Sequence, residues 1–183
     1  ENGQSLDLTM NVLGRIEDHL DVPFDSYLPG GGERSTPYLE AIRLLSTGIR
    51  LSEPDNPIRS FAVSSANPNA GKSTISFHLG HAFASMGQKT LIVDTDLRRP
   101  SLHRFINLAN AKGLTDYVSG DCSLSEVIVS LPTDDNLLLV PSGSIPPDPI
   151  KILTSQRMEN FLAEVHEKFD MVIFDTPPLI GFA

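Results

Sequence analysis

Apolar positions recur with two different periods along the 183 residues. Leu39, Ile42, Leu45 and Ile49 fall three or four apart, which predicts a helix over about 37–51 with one apolar face. Thr36 suits its N-cap and Pro37 its first turn. From residue 60 onward, short β-rich runs alternate with helical patterns. Strands are expected at 60–65, 90–94, 137–140 and 171–175, and helices over about 71–86 and 155–168. That alternation implies βαβ units and an α/β fold with a doubly wound, mostly parallel sheet. The strands read as apolar on both faces, as parallel strands covered by helices do. Residues 1–35 carry only a short apolar piece, Asn11-Val12-Leu13, and a loop-like run ending in Gly30-Gly31-Gly32. They are expected to form an N-terminal arm, with 36–183 as a single domain. The run 171–175 reads as an inner strand although only eight residues follow it, so the sheet is expected to continue beyond Ala183.

Composition narrows the chemistry. Apolar residues make up 40% and charged residues 20%, which suits a soluble fold with one core. The net charge of −9 argues against a broad nucleic-acid surface, so any anion site must be local. Cys122, the single cysteine, excludes a disulfide framework and a multi-cysteine zinc site, and suits a reducing, cytosolic setting. No run approaches the ~20 apolar residues of a membrane span, and the first ten residues lack the pattern of a signal peptide.

One segment supplies such a local anion site. Between an expected strand and an expected helix stands Ala66-Asn67-Pro68-Asn69-Ala70-Gly71-Lys72-Ser73-Thr74, the spacing of a phosphate loop, opened by alanine instead of the stricter glycine. Its chemistry needs consecutive backbone N–H groups at a helix N-terminus, where the dipole favours anions. Gly71 permits close approach, Lys72 would reach the β and γ oxygens, Ser73 would complete a magnesium shell, and Thr74 would be a further donor. The plainer alternative is a polar turn with a solvated Lys72.

Acidic residues stand at two expected strand ends. Asp94 and Asp96 are separated by one residue, so an extended chain points both to one side. Asp94 could hold a metal or its water, and Asp96 could accept the proton of an attacking hydroxyl. Asp175 ends 171–175, where it could hold a magnesium-bound water. The three converge only if the sheet is as expected. Otherwise Asp94 and Asp96 begin a helix as caps, and Asp175 opens the turn before Pro177-Pro178.

These motifs resemble those of the bacterial tyrosine kinases of polysaccharide export and chain-length control, the Wzc-like BY-kinases. The resemblance runs from about Val12 to Ala183 and is carried by Pro68 to Thr74, by Leu91 to Pro100 with its Asp-x-Asp-x-Arg-x-Pro pattern, and by Val172 to Pro178. Supporting pieces are Gly113 to Tyr117 and Pro141 to Pro149. The resemblance implies a P-loop NTPase of the MinD/ParA type that uses ATP and Mg2+ to autophosphorylate a C-terminal tyrosine cluster of a neighbouring subunit. It implies catalytic roles for Lys72, Asp94 and Asp96, nucleotide contacts from Asn69, Ala70, Gly71, Lys72, Ser73 and Thr74, and metal duty for Ser73, Asp94 and Asp175. It also implies the cytoplasmic domain of a bacterial inner-membrane protein, attached to the membrane through segments outside this chain, and a role in exopolysaccharide or capsule synthesis and export. Glu40 and Arg43 fall on the family's Glu-x-x-Arg-x-x-Arg helix, through which subunits form a homo-oligomer, a ring or dimer.

Three departures stand against that pattern. Ser46 replaces the last arginine of the helix motif, which removes a bidentate partner. Asn69-Ala70 stands where many members have Gly-Glu. Only Tyr27, Tyr38 and Tyr117 occur, none near Ala183. Two other functions stay open: a MinD/ParA-like ATPase switch with water as acceptor, and a catalytically silent ATP-binding adaptor of polysaccharide assembly. The switch type carries a further lysine near the loop's start, and Ala66, Asn67 and Pro68 offer none. His78, His81 and His103 form no defensible ligand set. Arg98 and Arg99 could bind a phosphate or a subunit, or be solvated.

Overall fold

The computed structural model describes residues 37–131 and 134–180. The expected arm over 1–35, the cap at Thr36 and the continuation beyond Ala183 lie outside them. Twelve elements follow in order: α1 (Pro37–Leu51), β1 (Ser60–Val63), α2 (Lys72–Ser85), β2 (Thr90–Asp94), α3 (Leu102–Phe105), α4 (Leu114–Ser119), α5 (Leu124–Val127), β3 (Val129–Leu131), β4 (Asp134–Val140), α6 (Pro149–Leu153), α7 (Gln156–Lys168) and β5 (Met171–Asp175). The strands form one sheet in the order β1-β5-β2-β4-β3. All neighbours pair in parallel except β3, which runs antiparallel to β4.

Side-chain alternation explains the layers. Leu91 and Val93 of β2 and Val172 of β5 enter a core with Leu114, Tyr117, Phe161 and Val165 of α4 and α7. The residues between them turn the other way: Ile92 meets Phe77, and Met171 and Ile173 meet Leu79, Phe83, Ile42 and Ile49. Helices therefore cover both faces, and the inner strands are apolar throughout. β1 departs from the expected pattern. Phe61 and Val63 pack inward, but Ala62 is exposed, because β1 lies at the sheet edge among the described residues.

The helix expected over 37–51 packs on α2 through Ile42 and Ile49. Tyr38 adds a hydrogen bond of 2.8 Å to Nδ1 of His78. Ser46 is 1% exposed and donates to the Arg43 carbonyl, so its side chain lies on the packed side of α1. Glu40 and Arg43 pair at 3.6 Å on the exposed side. The sequence pattern missed β3 and the four shortest helices, and placed the start of β4 three residues late. Among the described residues no helix is long and apolar enough to cross a membrane.

Past the end of β4, residues 141–144 are clamped to α4 and the residue before it. Leu114 N–H donates to the Pro141 carbonyl and Thr115 N–H to Ser142, while Asp116 accepts from the Gly113 N–H and the Ser144 hydroxyl. The backbones approach so closely that a Cβ on Gly113 would lie 2.1 Å from the Pro141 carbonyl oxygen. Gly113→Ala is expected to destabilise the fold by at least ~3 kcal/mol in urea unfolding, through overpacking that backbone cannot relieve. Gly87→Ala, at φ 80 but with open space around it, should lose only about 1–2 kcal/mol. Equal losses would show that the 141–144 clamp is not rigid.

Candidate active site

The loop between β1 and α2 curls because two of its residues have left-handed backbone. Asn69 has φ 60 and Gly71 φ 81. Asn is among the few side chains that adopt that region readily, so this position takes the loop's geometry without a glycine. α2 then begins with no side-chain cap and no acidic residue in its first turn. Its first residues line a cleft, and nothing lies within 4 Å of a Cβ built on Gly71. An uncapped N-terminus of a 14-residue helix is a site for an anion. The loop is braced from behind: Ser65 Oγ donates to the Asn67 carbonyl, and the N–H groups of Leu179 and Ile180 donate to Ser65 and Ala66.

The sheet brings the three expected carboxylates to this loop. Parallel pairing sets Asp94 of β2 directly beside Asp175 of β5. Asp175 accepts from Ser73 Oγ at 2.6 Å through one oxygen and from Ser76 Oγ at 3.1 Å through the other. Asp96, just past β2, lies 3.3 Å from Lys72 Nζ, with both side chains largely buried. Of the three, only Asp96 lines the cleft in front of the loop. Asp94 is fully buried and accepts the N–H groups of Asp96, Ser101 and Leu102. It thus fixes the 95–102 turn while standing next to Asp175, and the N-cap of α3 is Ser101, not either aspartate.

Two residues escaped the sequence reading. Ser76 follows Ser73 by three positions on α2 and shares its carboxylate, a spacing that could have flagged it. Ser101 donates to Ser73 Oγ at 2.9 Å, and nothing in the sequence signals that contact. Among the described residues no three His, Cys, Asp or Glu side chains converge closely enough to hold a metal by themselves. The donors present, one hydroxyl and nearby carboxylates, fit magnesium, which keeps water and substrate phosphate in most of its positions. Glu40 and Arg43 stand apart from this site on the exposed side of α1.

The cleft measures about 940 Å3 and is lined by residues 68–74, Asp96, Arg98, Arg99, Ser101, Arg104 and Ile145, among others. Residues 59–183 match the AAA domain family, over the part of the chain that holds the loop and all three carboxylates. This chain belongs to the AAA domain family. Its relatives there are bacterial tyrosine kinases. It is 37% identical to the tyrosine-protein kinase YwqD of Bacillus subtilis over 144 residues, 79% of this chain and 60% of that protein. Longer curated relatives are matched over about a fifth of their length. The crystal structure of the chimerical protein CapA2B2 superposes with a TM-score of 0.82 at 33% identity, over 93% of this chain and 72% of that one. The kinase domain of the Escherichia coli tyrosine kinase ETK does so with a TM-score of 0.77 at 27% identity, over 86% and 66%.

Burial pushes the Asp94 carboxyl up from 3.8 to about 7; the Leu102 N–H opposes the rise and the Asp175 charge adds to it. Burial also raises Asp175, against the Ser73 hydrogen bond and the Lys72 charge. Between about pH 4 and 7 folded Asp94 keeps a proton that the unfolded chain has lost. Its stabilising contribution is therefore complete below pH 4 and is lost as pH rises through 7. In metal-free protein, the stability of Asp94→Asn relative to the parent should climb from pH 4 to 7 by a few kcal/mol, at most about 4. A pH-independent difference in urea titrations would contradict this protonation.

Proposed function

We propose that this domain transfers the γ-phosphoryl group of ATP to protein tyrosine, as the cytoplasmic kinase domain of a membrane protein that governs exopolysaccharide or capsule assembly. The observation that carries this reading is the contact of Lys72 with Asp96 at the mouth of the uncapped helix, which puts a cation for phosphate and a carboxylate for a hydroxyl proton side by side. ATP supplies the phosphoryl group, and magnesium, when bound, neutralises the charge that builds on its oxygens. The residues of 69–74 hold the phosphates through backbone N–H groups. Lys72 would leave Asp96 for the phosphate oxygens, Ser73 and Asp175 would hold the magnesium, and Asp94 keeps the Asp96 turn in position. Asp96, relieved of Lys72, accepts the proton of the acceptor tyrosine.

Of the chain's three tyrosines, the two that lie within the described residues are held in the fold. Tyr117 is 9% exposed, with its hydroxyl on Glu164, and Tyr38 is bound to His78. A tyrosine-rich tail of a neighbouring subunit in a homo-oligomer, gathered through Glu40 and Arg43 of α1, would supply the acceptor.

The test is phosphotyrosine formed by the full-length protein with Mg-ATP. Lys72→Met should abolish it; phosphotyrosine persisting in that variant would reject the assigned site. Release of phosphate mainly to water, with little on protein, would favour an ATPase switch. Asp96→Asn should keep ATP affinity within about threefold yet slow transfer by roughly 10²–10⁴-fold, the usual contribution of a general base. Unimpaired single-turnover transfer in Asp96→Asn would remove Asp96 from that role.

A further inference from the structure

The cleft carries a second chemical feature that phosphate transfer alone does not use. In a chain of net charge −9, residues 97–115 hold four of the 14 Lys and Arg residues, together with His103, and no Asp or Glu. Arg98, Arg99 and Arg104 from this stretch line the cleft, and all three are exposed. Ion pairs among the described residues join Arg43 to Glu40, Lys72 to Asp96, Lys112 to Glu126 and Lys168 to Glu164. Arg99 and Arg104 enter none of them. Two exposed guanidinium groups outside those ion pairs give the rim of this cleft a local positive charge.

The same cleft has an apolar wall, with Ile145, 67% exposed, and Pro178 on it. Its floor holds Lys72 and Asp96. Residues 141–144, which lead into Ile145, are bonded to α4 and to Asn110, so the chain that carries this wall is anchored on one side. A ligand suited to these surfaces has an aromatic or apolar residue that reaches the floor and carboxylates on either side of it. We propose that the rim formed by Arg99 and Arg104 is the acceptor subsite, which selects tyrosines in acidic sequence by charge pairing with flanking Asp or Glu. This rests on the tyrosine-kinase reading for what is done to the peptide, but not for its binding. A flat anionic membrane would meet the arginines without entering the cleft, whereas an extended peptide reaches both.

The probes are a fluorescein-labelled peptide with one tyrosine between four glutamates and its counterpart with glutamines, measured by anisotropy against the whole chain. The glutamate peptide should bind about tenfold tighter or more, and the preference should shrink as salt rises from roughly 50 to 250 mM. Arg99→Ala/Arg104→Ala should erase the preference while leaving the affinity for a fluorescent ATP analogue within about twofold. Equal binding of the two peptides would overturn the proposal. So would a double variant that loses ATP affinity but keeps the peptide preference, since the rim would then serve the nucleotide. Equal peptide affinities combined with Arg99- and Arg104-dependent binding to phosphatidylglycerol vesicles would assign the rim to a membrane and likewise overturn it. The kinase reading fails separately: peptide preference without phosphotyrosine on either peptide would sink that reading and leave the subsite, whereas equal KM values for both peptides would keep the kinase and sink the subsite.

Discussion

Parallel pairing of β2 with β5 sets Asp94 beside Asp175, and the polar chemistry of the site depends on that register. The register is held by apolar burial, not by the carboxylates. Leu91, Val93 and Val172 fill one face, and Ile92, Met171 and Ile173 the other. A slip by one residue would turn every one of these side chains to the wrong layer. β1 pairs with β5 so that Val63 stands beside Asp175, and the phosphate loop leaves β1 at the strand end where the aspartates cluster. Ser73 at the start of α2 consequently lands within hydrogen-bond distance of Asp175. A buried hydrophobic constraint thus positions groups whose own mutual repulsion would otherwise drive them apart.

The layered fold and most of the site could be read from the chain because their signals are local and periodic. The inner strands are runs of Leu, Ile, Val and Met, and α1 and α7 alternate at helical spacing. What escaped has no such signal. β3 is three residues long and α3, α5 and α6 span four or five, too short for any period to repeat. Ser101 reaches Ser73 only because Asp94 folds the intervening turn back on itself. That carboxylate was legible as a strand-end acid, but its three backbone partners arise from the turn and were not. The cleft-facing duty therefore falls on Asp96, and Asp94 organises the turn that presents it.

Two departures from the family pattern acquire physical meaning in the fold. Asn69 occupies a left-handed position, so the loss of glycine there is absorbed by one of the side chains best suited to it. Ser46 lies on the packed face of α1, where a hydroxyl satisfies itself on the Arg43 carbonyl. An arginine at that position would have to lead its charge out past α2, since burial of an unpaired guanidinium is prohibitive. The substitution therefore changes how α1 meets α2 as well as what it offers outward. Glu40 and Arg43 still present an exposed pair on the other side.

The Lys72–Asp96 pair is where structure and reaction meet. Both side chains are mostly out of water, at 13% and 4% exposure, so neither charge is well solvated without the other. A polyphosphate at the start of α2 offers Lys72 a partner with more negative charge and draws it away. Asp96 then loses its cation but keeps the Arg99 N–H as a hydrogen-bond partner, and in the proposed reaction it is the group that meets the tyrosine hydroxyl. One contact thus joins the lysine that the proposed reaction gives to the phosphate with the carboxylate that it gives to the hydroxyl.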